Sequence, residues 1–255
     1  MVSSPLRSRL YLLLHCIVCG IGPVLEPTSA HAQGGPPLLT DDPGTPGNRH
    51  WEVNLAATVE HTADASLYEA PLTDFNYGLG GRIQLKLELP LLVENSTGTR
   101  TGLGNPVVGV KWRFLEDSSS GLAISTYPQF EFPSPILPLD ESENEHALLL
   151  PLELAIPWGR LGINVEAGYR IIDGADDEVI YGLALGHDVT GTLELLAECN
   201  GSSAPARLSE LLCQLGTRKE IGAHFSLLSA VGRAVVGDSD ELTDFQIYVG
   251  LQSRW

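Results

Sequence analysis

The chain consists largely of segments of about ten residues in which apolar and polar side chains alternate. A strand with this period places its apolar side chains on one face and its polar side chains on the other. In residues 245–255, Phe245 and Ile247 alternate with Gln246, and the segment ends in the aromatic Trp255. The last strand of an outer-membrane barrel often has this form, because it closes the sheet against the first strand. We therefore expect a closed barrel.

The connections between the alternating segments indicate how many strands there are. After Trp51, connections that follow even-numbered strands are short, as at 78–81. Connections that follow odd-numbered strands are generally longer and more polar, as at 94–102, 133–146 and 200–208. Short periplasmic turns and longer external loops are typical of even-stranded outer-membrane barrels.

A soluble alternative has to be weighed, because a β-sandwich or a lipocalin-like barrel would bury the same alternation inside. The secretory leader, the terminal aromatic strand and the loop asymmetry favour the membrane. The predicted fold class is all-β: a transmembrane antiparallel up-and-down β-barrel of about 12 strands, with about ten or fourteen as alternatives. It would occupy residues 49–255.

The first residues have the pattern of a cleaved secretory signal. Arg7 and Arg9 precede an apolar run over residues 10–21, and Ala30 and Ala32 flank His31 at a typical cleavage site. The run is too short for a transmembrane helix, which needs about 20 apolar residues. We therefore predict a signal peptide over residues 1–32 and a location in the bacterial outer membrane.

The charge and the cysteines exclude several classes of protein. The chain has 32 acidic and 15 basic residues and a net charge of −17, which argues against nucleic acid as a partner. Beyond the leader, only Cys199 and Cys213 remain. They are too few for a disulfide scaffold, although one bridge is compatible with an oxidising periplasm. Neither has the spacing of a metal ligand.

The polar face of the strands would line the lumen of such a barrel. Its charged and amide residues carry both signs, and the basic ones concentrate on the third and fourth strands. The predicted lumen-lining residues are Glu52, Asn54, Lys86, Glu88, Lys111, Arg113, Glu131, Glu166, Arg170 and Arg218. One interpretation is a set of internal ion pairs that fills the barrel. The other is a narrow polar conduit, since about 8 strands just fill with side chains and 16 to 18 leave an open channel.

The acidic loops and the scarcity of catalytic patterns bear on other functions. Three acidic clusters lie around 140–145, 173–178 and 238–241, but none has the ligand spacing of an EF-hand. A solvated rim therefore explains them better than a cation site. The sequence contains no nucleophile elbow of the form Gly-x-Ser-x-Gly. We expect neither an enzyme nor a metal or cofactor.

Residues 33–48 (QGGPPLLTDDPGTPGN) form a lead-in segment ahead of the first strand. Its four prolines exclude regular strand pairing. Leu38 and Leu39 offer an apolar anchor, and Asp41 and Asp42 are placed to face the basic residues Lys86, Lys111 and Arg113. One hypothesis is that the segment folds into the lumen and narrows it. The alternative is a flexible periplasmic tail.

Several stretches of the chain resemble a known family. They are Gly35-Pro-Pro-Leu-Leu-Thr-Asp-Asp-Pro-Gly-Thr-Pro-Gly47, Arg82-Ile-Gln-Leu-Lys-Leu-Glu-Leu-Pro90 and Gly102-Leu-Gly-Asn-Pro106. The chain is similar here to bacterial outer-membrane transporters labelled "MetA-pathway of phenol degradation". The resemblance implies a barrel and the uptake of small aromatic compounds. Residues 200–208 and their flanking cysteines depart from the family's pattern.

Together these observations predict an outer-membrane channel or transporter that passively admits small molecules, such as aromatic or organic acids. The alternative is a closed structural or adhesive barrel that acts through its acidic external loops. The expected partners are outer-membrane lipid, the barrel assembly machinery and a small solute whose identity the sequence does not give.

Overall fold

The computed structural model describes residues 34–96, 98–134, 145–205, 210–237 and 242–255. The predicted signal peptide lies outside these residues. The described part of the chain is built from strands. They are β1 (Trp51–His61), β2 (Ser66–Leu79), β3 (Ile83–Asn95), β4 (Thr99–Leu103), β5 (Val107–Glu116), β6 (Ala123–Thr126), β7 (Gln129–Glu131), β8 (Ala147–Trp158), β9 (Leu161–Ile172), β10 (Glu178–Thr190), β11 (Leu193–Ser203), β12 (Leu211–Glu220), β13 (Phe225–Val236) and β14 (Phe245–Arg254). No helix within these ranges is long and apolar enough to cross a bilayer.

The strands form one antiparallel sheet that closes on itself. Each strand pairs with its neighbours, and β1 pairs with β14 from Glu52 opposite Arg254 to His61 opposite Phe245. Two barrel strands are each made of two pieces, because β3 pairs with both β4 and β5, and β8 pairs with both β6 and β7. The fourteen pieces therefore make twelve barrel strands, which confirms the predicted fold class and strand number.

The break between β6 and β7 is local and does not change the pairing register. It falls at Tyr127 and Pro128, where the backbone N–H of Val110 donates to the Pro128 carbonyl at 3.0 Å. Pro128 has no N–H group of its own, so one hydrogen bond of the ladder is missing. The register against β5 and β8 is the same on both sides of the break, so Tyr127 points inward like Ser125, and both are fully buried.

The two faces of the sheet differ sharply in polarity. The outward side chains of Leu55, Leu215 and Val249 are 50%, 66% and 56% exposed. The inward side chains of Asn54 and Glu153 are 2% and 0% exposed. Apolar residues thus cover the outside and polar residues fill the inside, which is the arrangement that a lipid-facing barrel requires and a soluble barrel reverses.

The two ends of the barrel carry different connections. At the turn end, where β1 begins and β14 ends, β10 and β11 are separated only by residues 191–192. At the opposite end, the loop end, two of the predicted loops are shorter in the structure than the sequence suggested. The loop predicted at 94–102 reduces to 96–98, because Asn95 pairs with Thr99 in a hairpin. The polar side chains of residues 94–102 suggested a loop, whereas backbone pairing extends β3 and β4 into this stretch.

The loop predicted at 200–208 needs a similar correction. β11 continues to Ser203, so this loop starts later. The connection between β1 and β2 covers only residues 62–65. The alternation of long and short connections therefore does not extend to the first half of the chain, although the strand number derived from it is correct.

The two cysteines form a disulfide. Cys199 on β11 lies directly opposite Cys213 on β12, and their sulfur atoms are 2.03 Å apart. Both belong to the outward face, since their neighbours Glu198 and Gln214 are buried inside. The bridge that the sequence left open is thus present across two adjacent strands.

The outward face yields a prediction about depth. Val249 lies midway along β14, whereas Leu79 is the last residue of β2 at the turn end. We expect Val249→Arg to lower the free energy of unfolding by about 2–4 kcal/mol, and Leu79→Arg by about 0–1 kcal/mol, because the cost of a charge depends on its depth in lipid. Urea unfolding in lipid vesicles measures both. Equal costs for the two variants would contradict a lipid-facing belt centred on Val249.

Candidate functional site: the occupied barrel lumen

The lead-in segment lies inside the barrel. Residues 34–48 form no strand, as their prolines predicted. Leu38, Thr40 and Asp42 are only 5%, 1% and 7% exposed. Leu38 packs against two inward side chains, Ala184 of β10 and Leu196 of β11. The second leucine differs, because Leu39 is 55% exposed. The apolar anchor is therefore Leu38 alone.

Two buried carboxylates hold the backbone of the segment. Glu198 accepts hydrogen bonds from the N–H groups of Leu39 at 3.0 Å and Thr40 at 3.2 Å. Glu166 accepts one from the N–H group of Asp41 at 2.8 Å. A segment without regular structure has to satisfy its backbone donors elsewhere. Here strands β9 and β11 supply ionisable acceptors, which make stronger hydrogen bonds than neutral ones.

Lys111 fixes the acidic part of the segment. Its ammonium group lies 2.8 Å from the Asp41 carboxylate and also donates to the Asp42 carbonyl. The Glu153 carboxylate lies 3.6 Å away, and the ammonium group sits 4.5 Å from the centre of the Tyr127 ring. The side chain is 2% exposed, so these groups replace its hydration.

Arg218, on β12, holds the beginning of the segment at Gly34 and Pro36. Its guanidinium donates to the carbonyl of Pro36 at 2.9 Å and to that of Gly34 at 3.4 Å. The same group pairs with Glu194 at 2.7 Å. The lead-in segment is thus bound by basic side chains from β5 and β12, in addition to the carboxylates of β9 and β11.

Two glycines allow the segment to approach the wall. Thr40 lies against Gly182, where a side chain on the glycine would collide with the threonine. Gly78 lies against the backbone of Gly47 in the same way. Near this second contact, the N–H group of Arg49 donates to the Gly78 carbonyl at 2.8 Å. Because Gly182 and Gly78 have no side chain, the wall leaves room for the segment at two separate positions.

Asp42 is the most enclosed acid of the segment. Burial raises the pKa of its carboxyl above the usual range, and the neighbouring Lys111 partly opposes this shift. Its side chain also accepts a hydrogen bond from the N–H group of Gly44. Asp42 therefore shapes the turn that carries the chain back toward β1.

The segment divides the lumen into two cavities. The loop-end cavity has a volume of about 530 Å³, and Leu39 and Thr40 form part of its wall. The turn-end cavity has a volume of about 520 Å³, and Asp41 and Asp42 form part of its wall. Residues 39–42 therefore stand between the two spaces. Each cavity is large enough for a small organic molecule, since ligand sites usually measure about 300–1,000 Å³.

The basic residues predicted to face Asp41 and Asp42 behave differently from one another. Lys111 makes the predicted contact. Lys86 instead pairs with Glu88 at 2.8 Å and lies 3.9 Å from Asp74. Arg113 donates to the carbonyl of Gly81 at 2.6 Å and lies 3.4 Å from Glu116, at the turn end. The predicted group of three basic residues is therefore not a single binding surface.

Most of the other predicted lumen-lining residues take part in polar contacts between strands. Arg170 pairs with Glu131 at 2.8 Å, and Glu52 pairs with Arg254 at 2.7 Å. Asn54 donates to a carboxylate on β2 and accepts from Gln252 at 3.0 Å. These contacts place the residues within the barrel wall and its two mouths. Their role in lining a conduction path stays a prediction.

Two interior residues of β2 were not predicted from the sequence. Asp74 and Asn76 hydrogen-bond each other at 2.8 Å, and Asn76 accepts from Gln84 at 2.7 Å. The same Gln84 donates to the Tyr127 hydroxyl at 3.0 Å. The alternation of Asp74 and Asn76 with Phe75 could have revealed their side of the sheet.

The structure describes one of the three predicted acidic clusters in full. The clusters near 140–145 and 238–241 lie outside the described residues, apart from Glu145. In the cluster at 173–178, Asp177 accepts hydrogen bonds from the Tyr169 hydroxyl at 3.0 Å and the Ile172 N–H at 3.2 Å. Across the described ranges, no group of three or more His, Cys, Asp or Glu side chains is placed to hold a metal ion.

Comparisons with known proteins show the fold. No protein-family profile matches the sequence, and no curated protein matches it significantly. An outer-membrane channel from Pseudomonas putida F1 is similar in structure, with a TM-score of 0.65, 13% identity and coverage of 91% of this chain and 100% of that one. The NanC porin follows at 0.60, with 8% identity and coverage of 79% and 98%. The KdgM porin follows at 0.54, with 9% identity and coverage of 78% and 98%.

These identities are low enough that the likeness speaks for the fold alone. The chain has the fold of outer-membrane β-barrels, several of which are channels or porins. The phenol-degradation label remains a resemblance between short stretches of sequence, because no family profile matches.

The contacts of Lys111 yield a prediction about the lead-in segment. Lys111→Met leaves Asp41 and Glu153 without their cation, and breaking a buried ion pair costs about 3–5 kcal/mol. With Thr40→Cys as a reporter, we expect the variant to raise the rate of maleimide labelling at least tenfold (about 1.4 kcal/mol or more). Lys86→Met is the matched control, because Lys86 has no contact with the segment among those described. Equal labelling in both variants would show that Lys111 does not hold the segment.

Proposed function

We propose that the protein is an outer-membrane channel for small solutes whose passage is controlled by its own lead-in segment. The observation that carries the proposal is the position of residues 39–42 between two cavities of a twelve-stranded barrel. A barrel of this size is intermediate between those filled by side chains and those with an open aqueous channel. A short inner segment is therefore enough to narrow it.

The proposed location is the bacterial outer membrane. The outward apolar side chains and the closed sheet suit a hydrocarbon environment, in which every backbone polar group needs an internal partner. The fold shared with solved outer-membrane channels supports the same location. Outer-membrane lipid and the barrel assembly machinery are accordingly the proposed partners. The turn end would face the periplasm and the loop end the exterior.

The proposed transport is passive and selects by size and charge. The inner face carries acidic and basic side chains that form hydrogen bonds, so a polar solute exchanges its hydration for contacts with the wall. The resemblance implies small aromatic compounds, and aromatic or organic acids as the solute stay a prediction. Catalysis has no part in this proposal.

A closed structural barrel is the rival function, and one observation favours it. The segment is held by two carboxylates and two basic side chains, Glu166, Glu198, Lys111 and Arg218. So many buried contacts suit a permanent filling as well as a movable one. The two functions differ in what removal of the segment should do.

Deleting residues 34–45 tests the proposal. This deletion keeps Gly47 and its contacts at the turn end and joins the two cavities. In planar lipid bilayers, the single-channel conductance of the deleted protein should rise severalfold above that of the full chain. The control is Glu220→Gln, which changes an exposed side chain outside the segment and outside both cavity walls, so its conductance should equal that of the full chain.

The result has a clear alternative. A deleted protein that migrates as a folded, heat-modifiable barrel and still shows no conductance would refute the channel and leave the structural barrel. A full chain that already conducts as well as the deleted one would refute control by the segment.

A further inference from the structure

The two cavities differ in charge. Among the residues that the structure describes, the charged ones in the wall of the loop-end cavity are five acids and one base: Glu60, Glu131, Glu166, Glu178, Glu210 and Arg170. The turn-end cavity has four acids and three bases: Asp41, Asp42, Glu52, Asp74, Lys86, Lys111 and Arg254. The excess of formal negative charge is thus four at the loop end and one at the turn end. A low-dielectric wall focuses such a charge into the cavity it surrounds.

The one base described in the wall of the loop-end cavity is already paired. The Arg170 guanidinium lies 2.8 Å from Glu131 and 3.9 Å from Glu178. An entering anion would therefore have to compete with two carboxylates for this group. An entering cation would be attracted by the carboxylates and repelled by Arg170 alone among the described charged groups of the wall.

The cavity is also partly apolar. Leu39 of the lead-in segment is 55% exposed and forms part of the wall, together with Leu149, Ile180 and Leu212. A buried apolar surface of this kind suits the hydrocarbon body of a ligand rather than a bare, hydrated metal ion.

Two polar atoms at the cavity have no partner. Thr40, which is 1% exposed, has a buried hydroxyl oxygen without a hydrogen bond, and Gln246 has a buried amide oxygen without one. Both residues belong to the cavity wall. Leaving a buried polar atom unpaired is unfavourable. The Gln246 amide oxygen only accepts hydrogen bonds, so a ligand N–H donor suits it, whereas the Thr40 hydroxyl can either donate or accept.

We propose that the loop-end cavity binds an organic cation, with an ammonium or guanidinium group on a small apolar body. The carboxylates and the unpaired acceptors take the N–H donors, and Leu39 and its neighbours contact the hydrocarbon part. The inference rests on the proposed channel and names its solute class. It opposes the organic acids predicted from the sequence, since the excess negative charge repels an anion.

Benzylamine and benzoate are matched probes, because they share a ring and differ in charge. Isothermal titration of the full chain, refolded in detergent at low ionic strength, compares them. We expect benzylamine to bind and benzoate to bind at least tenfold more weakly. The binding of benzylamine should weaken as salt is added, because salt screens the carboxylates.

Charge variants on one ion pair give changes of opposite sign. Glu131→Gln should weaken benzylamine about threefold, and Arg170→Gln should strengthen it about threefold, as expected for a unit charge at about 6 Å in a water-like dielectric. Glu220→Gln is the control, because Glu220 is exposed at the turn end and should leave binding unchanged. Since Glu131 and Arg170 are paired with each other, a loss of structure would affect both variants in the same direction.

Benzoate binding as tight as benzylamine would overturn the inference, as would the absence of benzylamine binding. A decrease in benzylamine affinity with Arg170→Gln would overturn it too. These results leave the conductance of the protein lacking residues 34–45 untouched, so failure of the solute class is distinguishable from failure of the channel.

Discussion

Closure of the sheet between β1 and β14 is the constraint on which the rest of the structure depends. Hydrocarbon offers no hydrogen bonds to a backbone, so each N–H and C=O group of a spanning strand needs a neighbour. The pairing of Glu52 with Arg254 and of His61 with Phe245 supplies the last of these neighbours. Once the sheet is closed, alternate side chains have to face either the outside or the lumen. Apolar residues such as Val249 are then displayed outward, and acids and amides are confined inside.

A confined polar interior has to satisfy its own charges. Twelve strands enclose more space than these side chains fill, and the lead-in segment takes part of it. Lys111 contacts the segment and the wall at once, since its ammonium group binds Asp41, the Asp42 carbonyl and Glu153. The segment thus completes the hydrogen bonding of the wall, and the wall fixes an otherwise irregular segment. The solute path and the stability of the interior consequently depend on the same contacts.

Much of the fold was predictable because its signal is local. A residue's parity within a strand decides its face, so Asn54 and Lys111 could be placed inside from sequence alone. The contact of the Tyr127 ring with the Lys111 ammonium group was not predictable, since it depends on the register between β5 and β6. The contact of Arg218 with the Pro36 carbonyl was equally hidden, because it joins residues far apart in the chain through a backbone atom that has no sequence signature. The extra length of β3 at Asn95 rests on backbone pairing between polar residues.

The central claim, that the lead-in segment occupies the lumen and controls passage, is tested most directly by tying it to the wall. The Thr40 Cβ lies 3.1 Å from the position of a Cβ on Gly182, so a shift of a few tenths of an ångström brings a cysteine pair into the Cβ–Cβ range of disulfides, about 3.5–4.5 Å. In the double variant Thr40→Cys, Gly182→Cys, the account predicts that oxidation forms the bond and suppresses conductance, and that reduction restores it. The wild-type chain with and without reductant controls for the native Cys199–Cys213 bridge. Failure of the bond to form in a folded barrel, or equal conductance before and after reduction, would contradict the account.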